Sequence, residues 1–273
     1  FDPWAVMKGM KQKCLENGVQ FCHGEVVSAR RDDDHGGGKN VRSVTVRTSE
    51  NDVLNFSVDK VVNAAGPHAS TVLNMLGGGK TSDGYKLPVV PRKRCIYFIH
   101  ALPEDGAEAE AITAPLTIDA GTNVYFRSEG PPHHFICGAP PAKEYDCWEC
   151  YGSDSDYSSL HNPEPDFTET IWPQLYQMAP SLFHTVKVKS HWCGLYDYNV
   201  ADQNAIIGYH PELENVMLIN GFSGHGLQHG PAAGLAVAEL LDLGRFETMD
   251  LRRMGFERFL KGGDALLFED GIV

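Results

Sequence analysis

The sequence lacks long apolar runs and an excess of positive charge. No apolar stretch approaches the roughly 20 residues that a membrane-spanning helix needs, because glycine or charge interrupts the longest ones. Asp and Glu number 36 against 23 Lys and Arg, a formal net charge of −13. Nucleic acids and anionic membrane surfaces are bound through clusters of positive charge. We therefore expect no transmembrane segment and no nucleic-acid partner.

The seven cysteines also lack a spacing that predicts chemistry. Cys147 and Cys150 form one C-x-x-C pair, but a zinc site of that type needs a second pair or histidines at matching spacing. A chain of this length can bury a core without disulfides. We expect free thiols and no metal site, with a thiol-redox or zinc role of this pair as the alternative.

Apolar periodicity predicts different characters for the two halves of the chain. Early in the chain it predicts helices over 1–18 and 69–76, and strands over 19–27, 41–48 and 59–63, with a charged loop at 30–38. From residue 87 to about 190, strand patterns at 94–100, 123–127 and 134–137 alternate with Pro- and Gly-rich turns, with one helix at 168–178. This second part is typical of an antiparallel sheet, and residues 139–165 are expected to form a long surface excursion suited to interactions.

The most informative segment runs from Glu214 to Leu241. A short apolar strand at 216–219 precedes a turn that contains four glycines, and a helix is predicted from about Pro231 to Leu241. Such a turn lets the backbone approach a flat or anionic ligand, with a helix N-terminus directed at it. An ordinary strand-to-helix connection is the alternative interpretation.

Three motifs carry a resemblance to a known superfamily. The segments GFSGHG (221–226), VVNAAGP (61–67) and DQNAIIG (202–208) resemble motifs of the D-amino-acid oxidase and sarcosine oxidase superfamily. Four further segments are similar to one branch of it, the FAD-dependent oxidoreductase domain-containing protein 1 family. They are FDPW (1–4), LPVVPRKR (87–94), YFR (125–127) and GLYDYN (194–199).

The resemblance implies an α/β fold, that of a two-domain flavoprotein of the D-amino-acid oxidase type. Residues 1–87 and 191–243 would belong to the FAD-binding domain, 88–190 to a substrate-type domain with an antiparallel sheet, and 244–273 to a C-terminal tail. The family's N-terminal G-x-G-x-x-G unit is absent, and the chain starts at Phe1 without an initiating Met. We expect the C-terminal part of a longer protein, one chain of a split one, or a processed product. A stable partner would then carry the missing half.

The same resemblance implies a set of cofactor contacts. The expected FAD-binding residues are Ala65, Gly66, Gly221, Gly224, His225, Gly226, Leu227 and Gln228. Backbone N–H groups near His225 would face the flavin pyrimidine ring, where negative charge develops on reduction. FAD is expected to be non-covalent, because Gly194 stands where some relatives carry a tethering cysteine, and bound only if the missing half is supplied.

The residues say less about substrate binding and the biological role than about the cofactor. Arg94, Tyr97, Arg127 and Tyr196 would line a pocket, with a basic strand edge or an aromatic core as the alternatives. No catalytic residue is predicted. Gln228 stands where amine-oxidising relatives often have a lysine, and His68 where an aromatic residue is usual.

The resemblance implies a mitochondrial protein, inner-membrane associated or in the matrix. It would act as an assembly or accessory factor of respiratory complex I, in contact with the complex or its assembly intermediates. An active flavin-dependent oxidoreductase of amines or amino acids, transferring hydride to FAD, is the alternative.

Overall fold

The computed structural model describes residues 2–32, 38–102, 113–141 and 166–269. They form two compact units. The first comprises the chain up to Val90 and from Asp197 onward, and the second comprises Pro91 to Tyr196. The helices are α1 (Pro3–Glu16), α2 (Ala69–Met75), α3 (Trp172–Met178), α4 (Gly226–Leu243) and α5 (Glu257–Lys261). The strands are β1 (Gly24–Arg31), β2 (Val41–Thr48), β3 (Val53–Ser57), β4 (Val61–Asn63), β5 (Val89–Leu102), β6 (Thr117–Ile118), β7 (Tyr125–Ser128), β8 (His134–Gly138), β9 (Thr185–Asn199), β10 (Ile206–Tyr209) and β11 (Val216–Asn220).

The first helix has strong local start and stop signals. The Asp2 carboxylate accepts hydrogen bonds from the N–H groups of Trp4 (2.8 Å) and Ala5 (3.2 Å), and a proline occupies the first turn. The helix is followed by Gly18, whose φ of +84° suits a C-terminal cap. The prediction of a helix over 1–18 is confirmed. None of its residues is buried in the described structure.

Two three-stranded sheets build the first unit. β1, β2 and β3 form an antiparallel meander, while β11 pairs with β10 in antiparallel and with β4 in parallel orientation. The predicted strand 19–27 is shifted, since pairing starts only at Gly24, opposite Thr48. Buried residues of α4, among them Ala236 and Leu240, pack with Met217 of β11. The glycine turns that follow β4 and β11 therefore begin from a packed sheet.

The predicted C-terminal tail is part of the core of the first unit as far as the structure describes it. Phe256 and Phe259 are 1% and 2% exposed and pack with residues of the sheet and α2. Arg258 on α5 makes a buried, two-pronged ion pair with Asp202, with Nε to Oδ2 at 2.7 Å and Nη2 to Oδ1 at 3.0 Å. Sequence reasoning missed this contact because the partners are 56 residues apart.

The second unit is built on a five-stranded sheet in the order β6-β7-β8-β5-β9, as the antiparallel pattern predicts. Its core contains Phe135, Phe183, Ile171 and Leu175. The predicted helix at 168–178 consists of a π-helical turn, Phe167–Ile171, followed by α3.

The expectation of free thiols is wrong for one pair of cysteines in the second unit. Cys95 on β5 and Cys193 on β9 form a disulfide, with their Cα atoms 4.2 Å apart. Neighbouring strands bring together two cysteines that are 98 residues apart in the sequence, so spacing could not reveal the pair. Cys147 and Cys150 lie outside the described residues, as does most of the predicted excursion at 139–165.

The helices of the described ranges are short or carry polar residues along their length. None of those helices has both the length and the apolar character to cross a bilayer.

Candidate functional site

Two glycine-rich turns follow neighbouring parallel strands of the first unit. β4 and β11 pair so that Asn63 lies opposite Leu218, and both strands therefore end at the same edge of the sheet. The side-chain amide of Asn220 donates to the carbonyl of Asn63 at 3.2 Å and ties the two strand ends together. In open α/β sheets, ligands bind outside the carboxyl ends of parallel strands. This edge is the candidate site.

The turn after β4 is shaped by Asn63. Its Oδ1 accepts the N–H of Ala65 at 3.2 Å, and its Nδ2 donates to the carbonyl of Ala69 at 2.9 Å. Gly66 has a φ of +55°, and a Cβ added there would meet nothing within 4 Å. The backbone at Gly66 therefore faces open space, where a flat ligand can approach closely.

The turn after β11 has an unusual backbone and a carboxylate beneath it. Gly221, Ser223 and Gly224 have φ values of +74°, +50° and +102°. The Asp197 carboxylate accepts the N–H groups of Gly221 at 2.7 Å and Phe222 at 3.2 Å. Burial raises the pKa of Asp197 above its ordinary value, although these two bonds oppose the rise. Gly221 was predicted to contact the cofactor, but its N–H is engaged by this carboxylate.

The helix after this turn starts earlier than predicted. α4 begins at Gly226 instead of Pro231, and the N–H of His229 already donates to the carbonyl of His225 at 3.1 Å. Packing of its apolar face outweighs the weak helix propensity of its glycines. Leu227 and Gln228 therefore lie in the first helical turn.

The start of α4 presents unpaired backbone donors. The side chain of His225, at the N-cap, makes no capping hydrogen bond. The N–H groups of Gly226, Leu227 and Gln228 have no partner within the helix, because the first N–H groups of any helix lack one. The positive end of the helix dipole lies at the same place. This end of α4 can stabilise negative charge on a ligand.

The residues at this sheet edge suit a flat, electron-accepting ring system. Gly66 provides an open backbone surface, and the start of α4 provides donors for ring carbonyl and nitrogen acceptors. Asn220 adds a buried Oδ1 atom that has no hydrogen-bond partner among the described residues. The predicted cofactor residues fall on two turns, Ala65 and Gly66 on one and 221–228 on the other.

The structure brings together two of the four predicted substrate-side residues in the second unit. The Arg94 guanidinium carbon lies 5.5 Å from the centroid of the Tyr196 ring. Burial raises the pKa of Tyr196, and the nearby Arg94 charge opposes that rise. Arg127 is exposed and forms an ion pair with Glu129.

Tyr97 requires a correction as a substrate-side residue. It is 3% exposed, and its ring packs 5.2 Å from that of Phe167. Alternation along β5 turns Tyr97 to the face that carries the core.

Comparison with known proteins identifies relatives of this chain. The FAD dependent oxidoreductase family matches residues 1–240. FAD-dependent oxidoreductase domain-containing protein 1 of Xenopus laevis is 39% identical over 95% of this chain and 52% of its own length. Its Bos taurus counterpart is 36% identical over 97% of this chain and 54% of its own length. The chain thus spans about half the length of the curated relatives it matches.

Solved structures show the same fold. L-proline dehydrogenase from P. horikoshii superposes with a TM-score of 0.66 at 23% identity, over 96% of this chain and 60% of the dehydrogenase. Iminodiacetate oxidase from Chelativorans sp. BNC1 gives a TM-score of 0.62 at 17% identity, over 92% and 57% of the two chains. These matches confirm the predicted α/β fold of the D-amino-acid oxidase type. The chain belongs to the FAD dependent oxidoreductase family, whose cofactor is the one that the sequence predicts.

Proposed function

We propose that this chain is the flavin-contacting part of an FAD-dependent oxidoreductase, which holds FAD once a nucleotide-binding half is supplied. The main support for this proposal is the pair of glycine turns at one sheet edge, with the start of α4 beside them. Bound FAD would supply the hydride-accepting chemistry. The N–H groups at the start of α4 would orient the flavin pyrimidine ring and stabilise its negative charge after reduction.

Non-covalent attachment is supported by the residues that surround the family's tethering position. Gly194 stands at that position and has no nucleophilic side chain. The neighbouring Cys193 is bonded to Cys95 and so is not available as a thiolate. The flavin would be held by backbone contacts and released on denaturation.

The proposed substrate is an amine or an amino-acid-like molecule. Arg94, lying against the Tyr196 ring, offers a cation that could pair with a substrate anion. Gln228 is a neutral amide in the first turn of α4, and charge-assisted hydrogen bonds are roughly twice as strong as neutral ones. Recognition of a carboxylate at position 228 would therefore be weak.

The proposed partner is the nucleotide-binding half, as the protein's own N-terminal half or as a separate chain. β4 forms one edge of its sheet, where the exposed Val62 leaves an apolar side chain open. A groove of about 680 Å³ lies between α1 and the start of α4, lined mainly by apolar side chains that include Met7, Met10 and Leu227. Apolar patches and open strand edges are typical interaction sites. The relatives' twofold greater length supports this occupant.

The finer role that we propose is that of a mitochondrial assembly or accessory factor of respiratory complex I, in the matrix or associated with the inner membrane. It is supported by the branch-specific motifs and by the replacement of the usual lysine with Gln228. If the role is accessory, a variant that cannot bind FAD would restore the assembly of complex I in cells that lack the native protein. Failure of that variant, alongside rescue by the wild type, would favour the oxidoreductase alternative.

An absorption spectrum tests the flavin proposal. The chain would be produced together with the remaining half of the Xenopus laevis relative and purified natively. We expect a flavin spectrum that moves entirely into the supernatant after denaturation. A folded, colourless complex would contradict FAD binding, and flavin retained in the pellet would contradict non-covalent attachment.

A further inference from the structure

Asp197 supports the glycine turn of the first unit from the end of β9. Its Oδ2 atom alone accepts two backbone N–H groups, from Gly221 at 2.7 Å and from Phe222 at 3.2 Å. Its own carbonyl accepts the N–H of Ser223 at 3.2 Å. The backbone N–H of Asn199 donates to the Ser223 hydroxyl at 3.0 Å. Four hydrogen bonds therefore join this short piece of β9 to three consecutive residues of the turn.

The turn needs such support because of its backbone conformation. Gly221, Ser223 and Gly224 all have positive φ, and at Ser223 this conformation is sterically strained because serine, unlike glycine, has a Cβ atom. Ser223 is fully buried, so its conformation is held by its surroundings. A strained turn persists only when neighbouring groups fix it. The Asp197 carboxylate is the charged group among the four contacts, and hydrogen bonds to charged groups are the stronger ones.

The position of the turn is coupled to the start of α4. The N–H of His225, the N-cap residue, donates to the carbonyl of Phe222 at 2.9 Å. The Phe222 N–H in turn donates to Asp197. A continuous chain of hydrogen bonds thus leads from the carboxylate to the first turn of the helix that carries the unpaired N–H donors. Movement of Phe222 would displace those donors.

We propose that Asp197 is a positioning residue for the cofactor, acting through the Gly221–Gly224 turn to fix the donors at the start of α4. The inference rests on the proposed function, because it concerns the same site. Its carboxylate makes no contact with the cofactor in this role. Without the Asp197 carboxylate, only a fraction of the molecules would hold the turn in the conformation that binds FAD. The apparent dissociation constant for FAD would then rise by the inverse of that fraction.

Three substitutions separate positioning from general stabilisation. Asp197→Ala removes the acceptor, Asp197→Asn keeps a carbonyl oxygen at the same reach without the charge, and Asp197→Glu keeps the charge but extends it by one methylene. We expect the dissociation constant for FAD to rise about tenfold or more in Asp197→Ala, as loss of a hydrogen bond to a charged acceptor predicts. A similar rise is expected in Asp197→Glu, because the longer side chain moves the acceptor away from its native position. Asp197→Asn should rescue affinity to within about threefold of the wild type, a neutral bond being the weaker one. If Asp197→Ala does not fold, the contrast between the Asn and Glu variants decides.

Fluorescence titration with FAD, on the chain paired with its nucleotide-binding half, gives these constants, and melting temperatures are measured on the same samples. A variant that melts earlier but binds FAD like the wild type would assign Asp197 a purely structural role and overturn the proposal. Equal losses in Asp197→Asn and Asp197→Glu would also overturn it, because an acceptor oxygen at the native reach should preserve most of the affinity for FAD if that acceptor positions the turn.

Hydrogen exchange keeps this inference distinct from the proposed function. Deuterium uptake over residues 217–227 can be followed whether or not the wild type binds FAD. We expect about tenfold faster uptake there in Asp197→Ala than in the wild type, with protection retained in Asp197→Asn. A wild type that binds no FAD would refute the proposed function and, with it, the positioning role. Unchanged deuterium uptake in Asp197→Ala would refute the claim that Asp197 supports the turn, whatever the result for FAD binding.

Discussion

Replacement of Arg258 by alanine should destabilise the first unit strongly. The Arg258 and Asp202 side chains are 3% and 0% exposed, and two hydrogen bonds join them. Arg258 also donates to the carbonyls of Met254 at 2.6 Å and Asn204 at 3.0 Å. Burial raises the pKa of Asp202, but bonds from Arg258 and from the N–H of Leu267 outweigh this, so the net shift is downward. Asp202 therefore stays ionised in the fold.

The expected magnitude follows from the uncompensated charge. Breaking a buried ion pair by removing one partner costs about 3–5 kcal/mol. For a protein of this size, each kcal/mol lowers the melting temperature by roughly 2–4 °C, so a decrease on the order of 6–20 °C is expected. Circular dichroism at 222 nm or differential scanning fluorimetry on the purified chain measures this decrease.

The chain offers a matched control for this experiment. Arg252 pairs with Asp250 at 2.6 Å, but its side chain is 82% exposed. Exposed pairs contribute little, so Arg252→Ala should leave the melting temperature unchanged. The double variant Asp202→Asn with Arg258→Met should be more stable than Arg258→Ala, because no buried charge is left unpaired. Equal melting temperatures for Arg258→Ala and Arg252→Ala would refute the packing of α5 in the core.

Three further predictions concern other parts of the fold. Gly221→Ala should cost about 1–2 kcal/mol in urea unfolding, because alanine is strained at positive φ, whereas Gly234→Ala, in open space, should not destabilise the chain. Burial lowers the pKa of His210, so the folded state binds a proton at this side chain less readily than the unfolded state does. The fold should therefore keep its full stability above the unfolded pKa of about 6.5 and lose stability as the pH falls below that value. A melting temperature that stays constant from pH 7.5 to 5.5 would contradict this. Cys95→Ser should lower stability by about 2–5 kcal/mol under oxidising conditions and by clearly less under full reduction, where only the burial of the serine hydroxyl at this 1% exposed position counts. An equal loss in both conditions would show that Cys95 and Cys193 are not paired in solution.

Sequence patterns were sufficient where the determining contacts are local. The helix α1 is specified by Asp2, Pro3 and Gly18, all within one short segment. The glycine turn was found because Gly221 and Gly224 lie between an apolar strand and an apolar helix. The resemblance then supplied the fold type, which local periodicity could not.

Long-range contacts explain what the sequence did not reveal. Asp197 lies 24 residues from Gly221, and its role depends on the tertiary placement of the end of β9. Arg258 lies in the segment 244–273, which the resemblance assigns to a C-terminal tail, and its buried partner Asp202 is 56 residues away in the sequence. The early start of α4 depends on packing against β11, which outweighs the glycine propensities that suggested a longer turn. The GLYDYN motif, which contains Asp197, was the one available signal for a functional residue there.

The most direct test of the account is the FAD affinity of Gly66→Val compared with Gly234→Ala, each in the chain paired with its nucleotide-binding half. Added Cβ atoms meet nothing within 4 Å at either glycine, but only Gly66 borders the proposed flavin site and has positive φ. We expect Gly66→Val to fold but to lose bound flavin, while Gly234→Ala keeps flavin at the wild-type level. Equal flavin content in the two folded variants would contradict the placement of FAD at this sheet edge.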